Sequence, residues 1–317
     1  MSVKFPEIPE IREIAAPITE RMLRPLDLRC EVVQTRFTLT DADWRQLAEF
    51  MGKYPNVKLR VYGGTMDLGF LRYFPFLRHF QADLGMLTDL EQLRHLPSTL
   101  QSLTIGRTKK TLSLKVLRAF PELRKLALDG ERKDFETISS LARLERLTIR
   151  SITLTDLSAL VPLENLWWLA IKLGGTRDLG LLPSIGRLKY LELWLIRGLT
   201  NVAPIGDVVT LQFLFLQALR NVTRLPSFRR LKNLRALYIE TLKGLRELAP
   251  IAEAESLEDL AIVDSPQISL EQIATLKGMP SLRRATIGLG SMKRNWAAER
   301  LFNLPPIKPL STDFEFR

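Results

Sequence analysis

Two histidines, His79 and His95, and a single cysteine, Cys30, are the residues best suited to proton transfer, nucleophilic attack or soft-metal ligation. Neither histidine has a serine or cysteine at a spacing that would make it the base of a nucleophile pair. One cysteine rules out an intramolecular disulfide and any cysteine-based zinc cluster. Asp129, Glu131 and Asp134 offer carboxylates to a hard cation, but Arg132 and Lys133 lie among them, so a salt-bridged loop is the expected outcome. The glycine pairs Gly63-Gly64 and Gly174-Gly175 lack the Lys-Ser/Thr that follows a phosphate-cradling loop. No catalytic residue, cofactor or metal ion is expected, and the chain reads as a non-enzyme.

What remains is non-covalent recognition. Lys+Arg 46 against Asp+Glu 35 gives a net charge of +11 over 317 residues. Eight basic and nine acidic side chains fall in residues 1–56, so the surplus lies beyond them. Hydrophobic residues at 46% and charged ones at 26% are globular proportions, which exclude a disordered chain. The start, Met1-Ser2-Val3-Lys4-Phe5-Pro6, has no basic-then-apolar signal segment, and charges interrupt every apolar run short of a membrane span. A cytoplasmic protein without membrane contact is expected.

Leucine supplies 60 of the 317 residues, 19%, and its placement is periodic. The pattern L-x-x-L-x-L recurs at Leu100-Leu103-Ile105, Leu123-Leu126-Leu128, Leu144-Leu147-Ile149, Leu166-Leu169-Ile171 and Leu188-Leu191-Leu193. It continues at Leu211-Leu214-Leu216, Leu234-Leu237-Ile239 and Leu257-Leu260-Ile262, flanked by the degenerate copies Leu77-Phe80-Ala82 and Leu282-Ala285-Ile287. First positions are 21 to 25 residues apart. No single repeat can bury its apolar stripe; neighbours stacked about 4.8 Å apart can.

On these residues the chain resembles the leucine-rich repeat family, and segments such as Leu154-Thr155-Asp156-Leu157-Ser158-Ala159-Leu160 resemble its bacterial internalin-like and SDS22-like subclass. The resemblance implies an α/β class fold: a curved solenoid with a parallel concave sheet and short 3₁₀ or extended return segments on the convex side. Residues 57–290 are read as about ten repeats plus a degenerate first strand, in which Arg60 takes the place of the second leucine. Residues 1–56 are read as an N-terminal cap with strand-like Leu26–Val33 and a helix at about 41–51 started by Thr40. Residues 291–317 form a C-terminal cap or tail, with a short helix at Asn295–Phe302 and an extended stretch from Asn303 to Pro309. The family's turn asparagine is replaced by Glu131, Ile152, Gly174, Ile196, Leu219, Leu242 and Ser265, so an apolar ladder is expected in its place.

Strand alternation sends the residues between the motif leucines onto the concave face. Trp168, Tyr190, Trp194, Phe213, Phe215 and Tyr238 fall there as one aromatic patch with Trp167 beside it, and Lys125, Arg146, Arg150 and Lys172 form a basic field. Exposed patches of this kind mark binding surfaces, and Trp, Tyr and Arg are enriched among interface hot spots. Two alternatives stand: the rings pack on one another and stiffen the sheet, or a terminal segment buries them. The leading expectation is a protein–protein interaction module whose aromatic anchors grip a protein partner bearing an acidic patch. The resemblance implies either a cytoplasmic scaffold or adaptor, or an immunity-type binder that neutralises a toxin or effector. The alternative from another class is nucleic-acid binding by the same basic and aromatic face.

Overall fold

The computed structural model describes residues 10–64, 67–307 and 314–317. The chain divides at Arg150/Ser151 into two compact units, each taken by itself.

In the first unit the strands are β1 (Glu10–Ile14), β2 (Cys30–Arg36), β3 (Lys58–Gly63), β4 (His79–Leu84), β5 (Ser102–Ile105), β6 (Leu112–Ser113), β7 (Lys125–Asp129), β8 (Arg132–Lys133) and β9 (Arg146–Arg150). β1, β2, β3, β4, β5, β7 and β9 pair in parallel in that order, and β6 and β8 form a short ribbon of their own. Helix α1 (Asp41–Gly52) begins at a capping box, in which the Thr40 hydroxyl and the Asp43 carboxylate satisfy each other's backbone N–H groups. Its buried residues include Trp44, whose indole stacks on Phe70 with centroids 4.1 Å apart. Return segments carry single 3₁₀ turns, such as Gly69–Tyr73 and Lys115–Ala119.

Two features of this unit differ from the sequence reading. Leu59 pairs with Phe80 and Val61 with Ala82, and both Leu59 and Val61 are fully buried. The second motif position of β3 is therefore Leu59, not Arg60, and Lys58 and Arg60 both face the open side. β2 begins at Cys30 rather than Leu26, because Asp27 folds the chain into a turn whose carboxylate accepts from the Arg29 N–H at 2.9 Å.

In the second unit the strands are β10 (Trp168–Lys172), β11 (Tyr190–Trp194), β12 (Phe213–Gln217), β13 (Ala236–Glu240), β14 (Asp259–Val263) and β15 (Arg284–Ile287), again parallel and in order. Helices α2 (Leu270–Ala274) and α3 (Met292–Phe302) flank β15 in the chain. Pro183, Pro204 and Pro250 open 3₁₀ turns in the return segments, where no ladder N–H is lost. Between β12 and β13 the chain runs through turns and irregular backbone instead, and its every-third-residue ladder Leu219, Val222, Leu225, Phe228, Leu231 is buried. After α3, Asn303 is left-handed at φ 50° and residues 304–307 belong to neither helix nor strand; Lys308 and Pro309 lie outside the described residues.

The turns that end β9 to β14 each use a left-handed residue: Ser151, Leu173, Leu195, Ala218, Thr241 and Asp264 all have φ between 49° and 58°. The N–H groups of the first five donate to the carbonyl ending the next strand at 2.8 to 3.0 Å, as from Leu173 to Trp194. The following position holds the apolar ladder in place of asparagine, with Ile152, Ile196, Leu219 and Leu242 buried. Glycine is required at 174, where a Cβ would lie 2.2 Å from the Ile152 carbonyl oxygen.

The motif residues from Leu100 to Ile262 are each at most 2% exposed. Truncating one such leucine to alanine costs about 2–5 kcal/mol, so the periodic leucines hold the stack together. The architecture is an α/β solenoid of parallel strands with 3₁₀ and irregular return segments.

Candidate interaction surfaces

The parallel register sets the open faces in rows. In the second unit Trp168, Tyr190, Phe213, Ala236, Asp259 and Arg284 lie side by side on successive strands. Trp168 stacks on Tyr190 at 3.6 Å and Tyr190 on Phe213 at 5.3 Å, and Phe213 tilts against Tyr238 at 4.7 Å. The sequence-predicted aromatics therefore do come together.

They are not all open. Phe314 and Phe316 press onto them from the end of the chain and are themselves 2% and 3% exposed. Phe316 meets Trp167, Trp168 and Tyr190 edge-on or tilted, and Phe314 meets Phe213 edge-on at 5.2 Å. Tyr190, Phe213 and Tyr238 are buried in consequence, while Trp167, Trp168, Trp194 and Phe215 stay partly exposed. The expectation of a uniformly exposed patch is corrected: its centre packs under the segment Phe314–Arg317. Polar contacts fix that segment by its backbone, since Arg235 donates to the Glu315 carbonyl at 2.7 Å and stacks over Phe314.

Burial drives the Tyr190 phenol far above its usual pKa, with the Glu192 charge and hydrogen bond adding to the shift. Tyr190 donates to Glu192 at 3.0 Å, and Lys172 reaches the same buried carboxylate at 2.8 Å. Lys172 also lies over the Trp194 ring. Asp259, 1% exposed, accepts two bonds of 2.7 Å from the Arg284 guanidinium. Beside these pairs an open cleft of about 500 Å³ is lined by Trp194, Phe215, Tyr238, Val263 and Ile307, with Lys172, Glu192 and Glu240 at its polar wall.

In the first unit the basic residues fall into a different pattern from the one read in the sequence. Lys58, His79, Ser102, Lys125 and Arg146 share one row across β3, β4, β5, β7 and β9. The pairing of Leu59 with Phe80 sets Lys58 beside His79 in this register. Burial lowers the pKa of Lys125 and Arg146, and for Lys125 the Arg146 charge adds to it. Lys58 is lowered too, again first by burial. His79 is pushed down to about 4, by burial first and then by Lys125, Lys58 and Arg78. Arg150 pairs instead with Asp129 at 3.6 Å, two rows away. Lys58 and His79 were not assigned to the basic field; alternation counted back from Leu59 and Val61 would have found the first.

Asp129, Glu131 and Asp134 are not drawn around a cation, and no group of three His, Cys, Asp or Glu suited to a metal ion occurs among the described residues. Arg132 runs between them to the carbonyls of Gly106 and Asp129, and Asp134 accepts from Ser113. Cys30 is buried and free. No helix among the described residues is long and apolar enough to cross a membrane.

No family description and no curated protein matches the sequence. Solved structures do. An internalin of Listeria monocytogenes, InlF, is similar with a TM-score of 0.55 at 15% identity, over 86% of this chain and 90% of that one. The leucine-rich repeat domain of the type III effector XopL gives 0.47 at 23%, over 67% and 77% of the two chains. A leucine-rich repeat protein of Leptospira interrogans gives 0.42 at 17%, over 89% and 90%. With the sequence repeat and the observed register, the InlF likeness shows the fold: this chain has a leucine-rich repeat fold, and an internalin is among the structures it is similar to.

Proposed function

We propose that this chain is a non-enzymatic binding protein that captures a protein partner on the open sheet face of its second unit. The observation that carries the reading is the apolar cleft beside the docked Phe314–Arg317 segment. Trp194 and Phe215 offer exposed aromatic area, the edge of Tyr238 completes the apolar floor, and Lys172 with Glu192 supplies polar contacts. Aromatic surface in a partly closed cleft with a polar rim is the composition of interface hot spots. Trp167, Trp168, Tyr190 and Phe213 act in this reading as the packed base that keeps the cleft rigid.

The neutralising role implied by the resemblance is a finer form of the same reading: the captured partner must lose its own activity when bound. The test compares native protein with Trp194→Ala/Phe215→Ala as bait, after thermal unfolding has shown both folded. Capture of a defined protein by the first and its loss by roughly tenfold in the second is expected. Equal capture by both would overturn the assignment. Captured nucleic acid that is released steeply by salt would replace it with the alternative class.

A further inference from the structure

The basic row of the first unit has features that solvated surface charge does not explain. Lys58, His79, Ser102, Lys125 and Arg146 stand at one register position on five adjacent parallel strands, spanning about 19 Å at about 4.8 Å per strand. Among the described residues, the Lys58 and Lys125 ammonium groups, the His79 imidazole and the Ser102 hydroxyl make no hydrogen bond or ion pair with the protein. Ser102 is only 8% exposed, and it stands at the centre of the row on the open face of the sheet. The row below behaves otherwise: Arg60 is bound to Asp83 at 2.7 Å and to Gln34 at 3.0 Å. The acids nearest the cationic row are Glu31, Asp83 and Glu145, of which Asp83 holds Arg60 and Glu145 holds Arg124 at 2.5 Å.

Like charges set side by side and partly desolvated destabilise the fold that holds them, and such perturbed groups concentrate at functional sites. We propose that the row Lys58–His79–Ser102–Lys125–Arg146 is a binding site for a phosphate-class oxyanion. The chemistry matches donor by donor. Two ammonium groups and a guanidinium supply charge, while a hydroxyl and an imidazole N–H supply neutral donors between them. A phosphoryl group carries up to two negative charges and three strong acceptor oxygens, which adjacent strands can share. A carboxylate offers one charge and a planar pair of oxygens, a poorer match to donors spread along a row. The site lies in the first unit and does not depend on the aromatic cleft of the second.

Inorganic phosphate and inorganic tripolyphosphate, titrated calorimetrically into the full chain, test the assignment. Binding is expected to weaken at least tenfold in Lys58→Met/Lys125→Met and less than twofold in Lys109→Met/Lys110→Met, which removes equal charge from exposed positions of the same unit. Without ligand the first variant is expected to unfold at a higher temperature than native protein, since it relieves repulsion; this separates site loss from misfolding. Binding at pH 6 is expected to take up protons at His79, and His79→Gln abolishes that uptake. Tight binding of both anions points to a single phosphoryl group, and of tripolyphosphate alone to a linear polyphosphate. Absence of binding, equal loss in the control variant, or equal affinity for hexaglutamate would overturn the proposal.

Discussion

Gln212 holds both backbone groups of Arg317: its amide nitrogen donates to the Arg317 carbonyl at 2.7 Å, and its carbonyl oxygen accepts the Arg317 N–H at 2.8 Å. One side chain thus does what a neighbouring strand would do for an extended peptide. With Arg317 fixed, alternation sends Phe316 and Phe314 to the same side, onto Trp168 and Phe213, and turns Glu315 away. The aromatic row and the segment covering it form one cluster built from residues about 100 positions apart in sequence.

Phe316→Ala is expected to destabilise the protein by about 2–4 kcal/mol, toward the lower end if the cluster collapses around the gap. Trp167 and Trp168 lie against that ring, so their emission should shift to longer wavelength as water reaches them. Gln212→Ala should produce the same spectral change with a smaller loss, about 1–2 kcal/mol, from two hydrogen bonds. Unchanged emission in both variants would mean that the segment does not cover the row in solution.

Asp259 gives a sharper test of the same face. Its carboxylate is 1% exposed and is held by both forks of Arg284. Arg284→Met leaves that charge buried without its counter-ion, at a cost of about 3 kcal/mol. Asp259→Asn/Arg284→Met removes the stranded charge and should recover most of the loss. Urea unfolding of the two variants decides it, and equal loss in both would contradict the burial argument.

The repeat was legible because it is written in leucine. A stripe that must face inward every 21 to 25 residues fixes strand position, register and face together, and the open-face rows from His79 to Arg284 follow by alternation. Lys58 was missed because β3 has Leu59 and Val61 without a leucine three residues earlier, so its register shows only once it pairs with β4. The cover over the aromatic row was not legible for a different reason. Phe314-Glu315-Phe316-Arg317 carries no repeat signal, and its docking depends on side chains such as Gln212 and Arg235 that are unremarkable in their own repeats.

The left-handed turn positions have a cost that substitution can remove. Ala218 has φ 53°, where the Cβ of an L-residue crowds the backbone by about 1–2 kcal/mol. Ala218→Gly relieves that strain but widens the unfolded ensemble, which opposes it by about 0.4–1 kcal/mol. A net gain of about 0.5 kcal/mol is expected, read as a small rise in the denaturant midpoint at constant slope. At Leu173 or Leu195 the same change also deletes a partly buried side chain and should give no gain.

Acid should weaken the first unit through His79. Its folded pKa of about 4 lies below the about 6.5 of an unfolded histidine, so between those values the unfolded chain binds more protons than the folded one. Stability is therefore full above about pH 6.5 and falls as the pH drops toward 4, by at most about 2 kcal/mol once solvent screening of this half-buried ring is allowed for. Lys58 on β3 and Lys125 on β7, with Arg78 just before β4, oppose the imidazolium, and burial opposes it more. Carboxylates titrate in the lower part of the same window, so the comparison that isolates His79 is with His79→Gln, which keeps a donor but cannot take up the proton. Urea unfolding at intervals between pH 7 and 4.5 should show native protein losing stability faster than the variant. Saturating tripolyphosphate should reduce that difference, because an anion in the row favours the imidazolium that the lysines disfavour. Identical pH profiles for the two proteins would place His79 in an environment that does not perturb it.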